Sequence, residues 1–211
     1  MFDIEYKGGN GVIISTKKLD AVIDPKLSLV GLKDLAVKDA LEIATEARFA
    51  IGGRDAQLAI EGPGDYELGP FSIKGVPAIR HLDTSADEKI ATVYRIEVGD
   101  ARIALVGNIS PKLDEEQLEG LGLVDILILP VGGGGYTLDA TSAAGVVRQI
   151  DPKVVIPVHY ADDGLKYEVP QDTLETFVKE LGAPVETMSK YKVKSAATLP
   201  LTLTIVELTR S

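Results

Sequence analysis

His81 and His159 are the only two histidines in the chain, and there is no cysteine. That pair sets a ceiling on the available chemistry. A catalytic zinc usually takes three protein ligands, with histidine prominent. Without thiolates, one site of two imidazoles and a carboxylate can be assembled from His81, His159 and either Asp83 or Asp24. A histidine-rich two-metal site cannot. The absence of cysteine also removes disulfides, iron–sulfur clusters and a thiol nucleophile. His159 ends the run Ile156-Pro157-Val158, and strand ends of this kind are where α/β proteins place functional side chains. The alternative for either histidine is a hydrogen-bonded structural imidazole.

A second candidate is Gly132-Gly133-Gly134-Gly135, after an apolar run and before a helical pattern. Such a loop can aim backbone N–H groups and a helix N-terminus at an anion. It lacks the Gly-Lys-Ser/Thr of a P-loop, and its glycines do not make a dinucleotide fingerprint. A turn that allows close backbone packing is the alternative. Serine catalysis has no Gly-x-Ser-x-Gly elbow to support it. The paired carboxylates Asp162-Asp163 and Glu115-Glu116 read as solvated surface.

The elements that must hold these residues are read from hydrophobic period. Residues 2–6 and 12–15 alternate like strands around Gly8-Gly9-Asn10-Gly11, where Asn-Gly suggests a tight hairpin turn with positive φ. Further strands are predicted over 21–23, 49–51, 57–60, 71–74, 92–98 and 102–106, with a short helix or loop within 26–40. The second half alternates strand and helix. Ser110-Pro111 reads as the cap and first residue of a helix to about Gly120. Residues 124–131 and 154–158 are the near-continuous apolar runs expected of strands covered on both faces. Helices are predicted over about 140–150 and around Leu174, Phe177, Val178 and Leu181, the latter ended by Gly182. Residues 199–208 close as a strand. No stretch reads as a linker, so one α/β domain over 1–211 is expected.

Composition bounds the rest. A hydrophobic fraction of 45% is that of a globular chain. A net charge of −10 repels phosphate backbones, with no basic run to offset it, which argues against nucleic acid. No apolar stretch is long enough to span a bilayer, and the first residues lack a signal-peptide pattern, so the cytoplasm is the expected location and a membrane is not an expected partner.

Several segments taken together resemble the metallo-β-lactamase-fold hydrolases. They are residues 4–14, Ile23-Asp24-Pro25, Gly62-Pro63-Gly64-Asp65-Tyr66-Glu67, 104–108, 125–133 and 156–160, in that order. They are most similar to the zinc-dependent hydrolase branch that includes the ascorbate-6-phosphate lactonases. The resemblance implies a four-layer αββα sandwich with metals at one edge. It also exposes departures. The family's Gly-His-Ser is here Gly8-Gly9-Asn10. Its His-x-His-x-Asp-His segment is Glu46-Ala47-Arg48-Phe49-Ala50-Ile51. Its bridging Gly-Asp is Gly107-Asn108, an amide without the carboxylate's charge. These departures imply a retained scaffold, metal-free and non-hydrolytic, with no cofactor. It would bind a small anionic ligand through His81, Asn108, Gly133, Gly134, Tyr136, Thr137 and His159. The alternative is a lactonase- or phosphoesterase-type hydrolase with one Zn or Mn on His81, Asp83 and His159, where His159 would also be the catalytic candidate. Relatives of this kind often assemble, so a homo-oligomer is open.

Overall fold

The computed structural model describes residues 1–81 and 90–211, Ile90 by its backbone alone. In chain order the strands are β1 (Phe2–Gly8), β2 (Gly11–Ser15), β3 (Asp20–Ile23), β4 (Leu41–Ile43), β5 (Leu58–Ile60), β6 (Gly64–Leu68), β7 (Phe71–Ile79), β8 (Ile90–Val98) and β9 (Ala101–Leu105). After them come α1 (Glu115–Leu121), β10 (Ile126–Pro130), α2 (Ala140–Ile150), β11 (Val154–Val158), α3 (Leu174–Leu181), β12 (Val185–Met188), β13 (Tyr191–Val193) and β14 (Thr204–Leu208). They form two sheets, β13-β1-β2-β3-β4-β5 and β12-β14-β11-β10-β9-β8-β7-β6.

In β1, Phe2, Ile4 and Tyr6 are buried while Asp3, Glu5 and Lys7 are only half-buried, the period of two that a one-sided strand requires. The β1–β2 hairpin closes with Gly8 opposite Gly11. Its positive φ angles fall on Gly8 and Gly9 rather than on Asn10, so Asn10 keeps ordinary backbone and turns its side chain inward, 6% exposed.

Every residue of β10 and β11 is buried. β10 lies between β9 and β11, parallel to both, which explains its unbroken apolar run. Its side chains alternate between two cores. Ile126 and Ile128 join Ile4, Tyr6, Ile43 and Ile156 between the sheets. Leu127 and Leu129 join Leu121, Val146, Leu174 and Phe177 beneath the three helices. A fully buried side chain of this size contributes about 1.5–3 kcal/mol, so these two layers carry most of the fold's stability. The outer face of the first sheet is covered by residues 26–40, including a 3-10 turn at Leu27–Val30 and a small apolar cluster of Val22, Val37 and Ala40.

Two expected elements are corrected. Residues 49–51 are not a strand; Ala47–Phe49 is a 3-10 turn. The Glu42 side chain accepts from the backbone N–H of Ile51 at 2.7 Å and of Gly53 at 2.8 Å, taking donors that a strand ladder would need. The helix expected from Ser110-Pro111 starts instead after Asp114. There the Asp114 carboxylate accepts from Gln117 N at 2.8 Å and the Gln117 side chain accepts from Asp114 N at 3.0 Å, a reciprocal cap. Ser110 N–H is already spent on Ile79 O at 2.8 Å.

Candidate functional site

Parallel pairing brings strand ends to one edge of the sandwich. β3 runs parallel to β4, and β9, β10 and β11 are parallel to one another. The residues just past these strands are Asp24, Thr45-Glu46, Gly107-Asn108, Gly132 and His159. Asp24 (φ 46°) and His159 (φ 51°) both leave their strands through the left-handed region. That conformation is unfavourable for non-glycine residues, and it is held in place by contacts. Thr45 donates to Asp24 twice, from its N–H and its hydroxyl, each at 2.7 Å. His159 N–H donates to Gly9 O at 2.8 Å and Thr92 N–H to Thr45 O at 2.9 Å, tying the two sheets across the edge. Burial pushes the Asp24 carboxyl up to about 7, against the Thr45 bonds.

Behind this edge lies a charged cluster. Glu46 is 3% exposed. One of its carboxylate oxygens lies 3.1 Å from Arg48 Nε and 2.9 Å from Arg80 Nη1. The other accepts from Asn108 Nδ2 at 3.0 Å. Two guanidiniums thus meet one buried carboxylate. His81 stands beside it, its N–H donating to Asn108 O at 2.9 Å. Burial holds the His81 imidazole below its ordinary value, opposed by Asp139. Asn108 Oδ1 and His81 Nδ1 are buried polar atoms without partners among the described residues.

In front of the cluster is a narrow cleft of about 30 Å³, lined by Arg48, Phe49, Tyr136, His159, Tyr167 and Gln171 among others. That is room for about one water before any side chain moves. The Arg48 guanidinium carbon sits 4.5 Å from the ring centres of both Phe49 and Tyr136. His159 is 5% exposed. Its ring stacks on Tyr167 at 4.8 Å and 29°, and its Nδ1 is 3.0 Å from Asn10 Oδ1. An amide oxygen can only accept, so Nδ1 carries the proton and Nε2 the lone pair. Burial, assisted by Arg48, pushes the imidazole down to about 3.

Of the residues expected from sequence, His159 and Tyr136 line the cleft. Asn108 and His81 belong to the cluster behind it. Gly133, Gly134 and Thr137 do neither. Gly133 N–H donates to Leu138 O at 3.0 Å and Gly133 O accepts from the Thr137 N–H and hydroxyl, both at 3.1 Å. The loop is a closed turn, and the next helix is capped by Asp139, whose carboxylate accepts from Ser142 N at 2.7 Å. Its Gly133 amide is spent on its own chain instead of facing an anion, and Gly132 is needed because a Cβ there would meet His159 O. Asp83 lies outside the described residues. Sequence reasoning did not single out Arg80, Tyr167 or Gln171. Asn10, Glu46 and Arg48 were noticed only as departures from a family pattern.

The donors among the described residues do not assemble a metal site. Among the described residues no group of three or more His, Asp or Glu side chains is placed to hold one. Glu46 is taken by two guanidiniums, and Asp24 is turned to Thr45. Among the described residues, no helix is long and apolar enough to cross a membrane.

Residues 3–159 match the model of a beta-lactamase superfamily domain. A UPF0173 metal-dependent hydrolase of Natranaerobius thermophilus is 26% identical over 170 residues, 70% of this chain and 74% of its own. Another protein of that name, from Thermococcus onnurineus, is 31% identical over 138 residues, 59% of this chain and 61% of its own. Two other relatives are matched over less than half their length. Among solved structures, a Thermotoga maritima protein presented as a zinc-dependent hydrolase of the metallo-beta-lactamase superfamily superposes with a TM-score of 0.73. It is 20% identical and covers 99% of this chain and 100% of its own. Igni18, a metallo hydrolase from Ignicoccus hospitalis, gives 0.64 at 19% identity, over 92% of this chain and 99% of its own.

Proposed function

The chain belongs to the beta-lactamase superfamily, and from that premise we propose that its cleft binds a small anion on Arg48 without a resident metal and without hydrolysis. The observation that carries the proposal is the Glu46 carboxylate held between Arg48 and Arg80. A divalent ion placed there would face two fixed positive charges that cannot be deprotonated, and Asn108 adds no negative charge to attract it. The same guanidinium supplies what an anion needs. Arg48 is half-sequestered from water, and charge-assisted hydrogen bonds from such a group are about twice as strong as neutral ones. His159 stays uncharged at neutral pH because of its burial, so the positive charge that meets the anion is the guanidinium's.

The second reading is a hydrolase with a reduced one-metal site on His81, His159 and a carboxylate such as Asp83. Its support is the name that the relatives carry, metal-dependent hydrolase, which points to an enzyme more directly than to a binding protein. One experiment separates the two. Protein purified without chelator is analysed for zinc, manganese and iron and assayed on lactones and phosphoesters. The anion-binding reading expects no stoichiometric metal, no metal-stimulated turnover, and saturable phosphate or carboxylate binding lost in Arg48→Met. Near-stoichiometric metal that disappears in His159→Ala selects the hydrolase.

A further inference from the structure

We propose that the cleft selects a small 2-hydroxycarboxylate over the bare carboxylate, with Arg48 gripping the carboxylate and His159 Nε2 accepting a hydrogen bond from the hydroxyl. This rests on the anion-binding reading and adds a ligand class to it.

The first observation is how little of Arg48 is left to offer. Its guanidinium carbon packs over the rings of Phe49 and Tyr136 at 4.5 Å each. Its Nε faces the Glu46 carboxylate at 3.1 Å as a charge contact without hydrogen-bond geometry. The two Nη groups remain, an in-plane fork that matches the two oxygens of a carboxylate. Glu168 also lines the cleft, so one negative charge on the ligand is favoured over two.

The second, independent observation is the unspent acceptor on His159. The residue is 5% exposed, its Nδ1–H is committed to Asn10 Oδ1, and it lines the same cleft. Its Nε2 has no partner among the described residues. A carboxylate has no hydrogen to give, so an acetate-like ligand would dock beside a lone pair that stays unsatisfied. A ligand that shields this acceptor from water without matching it costs about 1–3 kcal/mol. A hydroxyl next to the carboxylate supplies the missing donor. An ammonium would supply one too, but it would bring a positive charge beside Arg48. As it stands the cleft has room for about one water, so even the smallest 2-hydroxycarboxylate, glycolate, enters only as the lining side chains shift.

The test is a titration of full-length, chelator-treated protein with glycolate, acetate and glycine, which differ at one substituent. Calorimetry is expected to show glycolate binding at least tenfold tighter than acetate and than glycine, with all binding lost in Arg48→Met. In His159→Phe, which retains a ring to stack on Tyr167, acetate affinity is kept and the glycolate preference disappears. If that variant does not fold, the imidazole ¹⁵N spectrum of the unaltered protein gives the same answer, since Nε2 should shift with glycolate and not with acetate. Equal affinity for glycolate and acetate, or glycine matching glycolate, overturns the hydroxyl assignment and leaves anion binding standing. No saturable binding of glycolate, acetate or inorganic phosphate overturns both.

Discussion

Glu46→Gln is the sharpest probe of the charged cluster. The substitution keeps the side chain's shape and removes its charge, leaving Arg48 and Arg80 at 3.1 and 2.9 Å from a neutral amide. Exposed ion pairs are worth about 0–1 kcal/mol, whereas removing one partner of a buried pair costs about 3–5 kcal/mol. Exposure decides between these regimes. The Glu46 side chain is 2% exposed, and those of Arg48 and Arg80 are 27% and 16%, so the lower end of the buried range applies. Asn108 Nδ2 also loses a charged acceptor. The expected loss is about 3 kcal/mol, which for a chain of this length lowers Tm by roughly 6–12 °C. Urea titration should move the midpoint with an unchanged m-value. Glu97→Gln provides the control, because its pair with Arg95 involves a side chain that is 41% exposed and should shift stability by less than about 0.5 kcal/mol. A Glu46→Gln loss below about 1 kcal/mol would refute the argument that this carboxylate neutralises the edge of the sandwich.

Three further outcomes can be checked. The Asp24 carboxyl, raised to about 7 by burial, binds its proton more tightly folded than unfolded. Its contribution to stability is therefore greatest below about pH 4 and is lost as pH rises toward 7, by at most about 4 kcal/mol; a difference curve against Asp24→Asn that stays flat over that window contradicts this. The imidazole of His159, pushed down to about 3, should show no titration by NMR between pH 8 and 5. Because the unfolded chain takes that proton first, near pH 6.5, the His159 contribution is intact above 6.5 and lost as pH falls toward 3, and a midpoint above 6 would mean that the ring is not enclosed. A methyl group at Gly132 would meet the backbone oxygen of His159 and Oε1 of Gln171, so Gly132→Ala should cost about 1–3 kcal/mol. Gly145 lies in α2 with open space around it, and Gly145→Ala should instead stabilise by about 0.5–1 kcal/mol; the opposite order in denaturant titrations would refute the packing argument.

The parts of the fold that were legible in the sequence are those where one physical signal dominates. β11 and α2 were expected at the bounds they have, because a strand buried on both faces and a helix of period 3.6 leave distinct marks. β6, β12 and β13 went unnoticed. β6 alternates only between exposed and half-buried positions, and β12 is mostly exposed; their pairing with β7 and β14 is a tertiary event with little local trace. The two-sheet mixed fold was inferred from the family resemblance, which the match over residues 3–159 supports. The site was legible only at its strand ends. His159 could be picked out because it terminates an apolar run. That Arg80 would reach the carboxylate of a residue 34 positions earlier depends on how the two sheets stack, and no spacing rule encodes it. The glycine run left an anion loop and a close-packed turn both open, since sequence cannot distinguish amides that face a ligand from one spent within the turn, as that of Gly133 is.

The sheet order has a consequence for how the chain acquires its structure. β13 pairs with β1, Phe2 opposite Val193, and β14 inserts between β11 and β12. Neither sheet is complete until residues beyond 190 are available, so the first strand, paired early with β2, waits for its second partner almost the whole chain away. Contacts of such separation must overcome loop-closure entropy before they are rewarded, which slows folding. During synthesis the edge of β1 and the flank of β11 are open pairing surfaces, and an all-buried strand such as β11 is a ready template for another chain. Loss of the segment that carries β13 and β14 should therefore yield aggregation-prone chains in place of a smaller folded core.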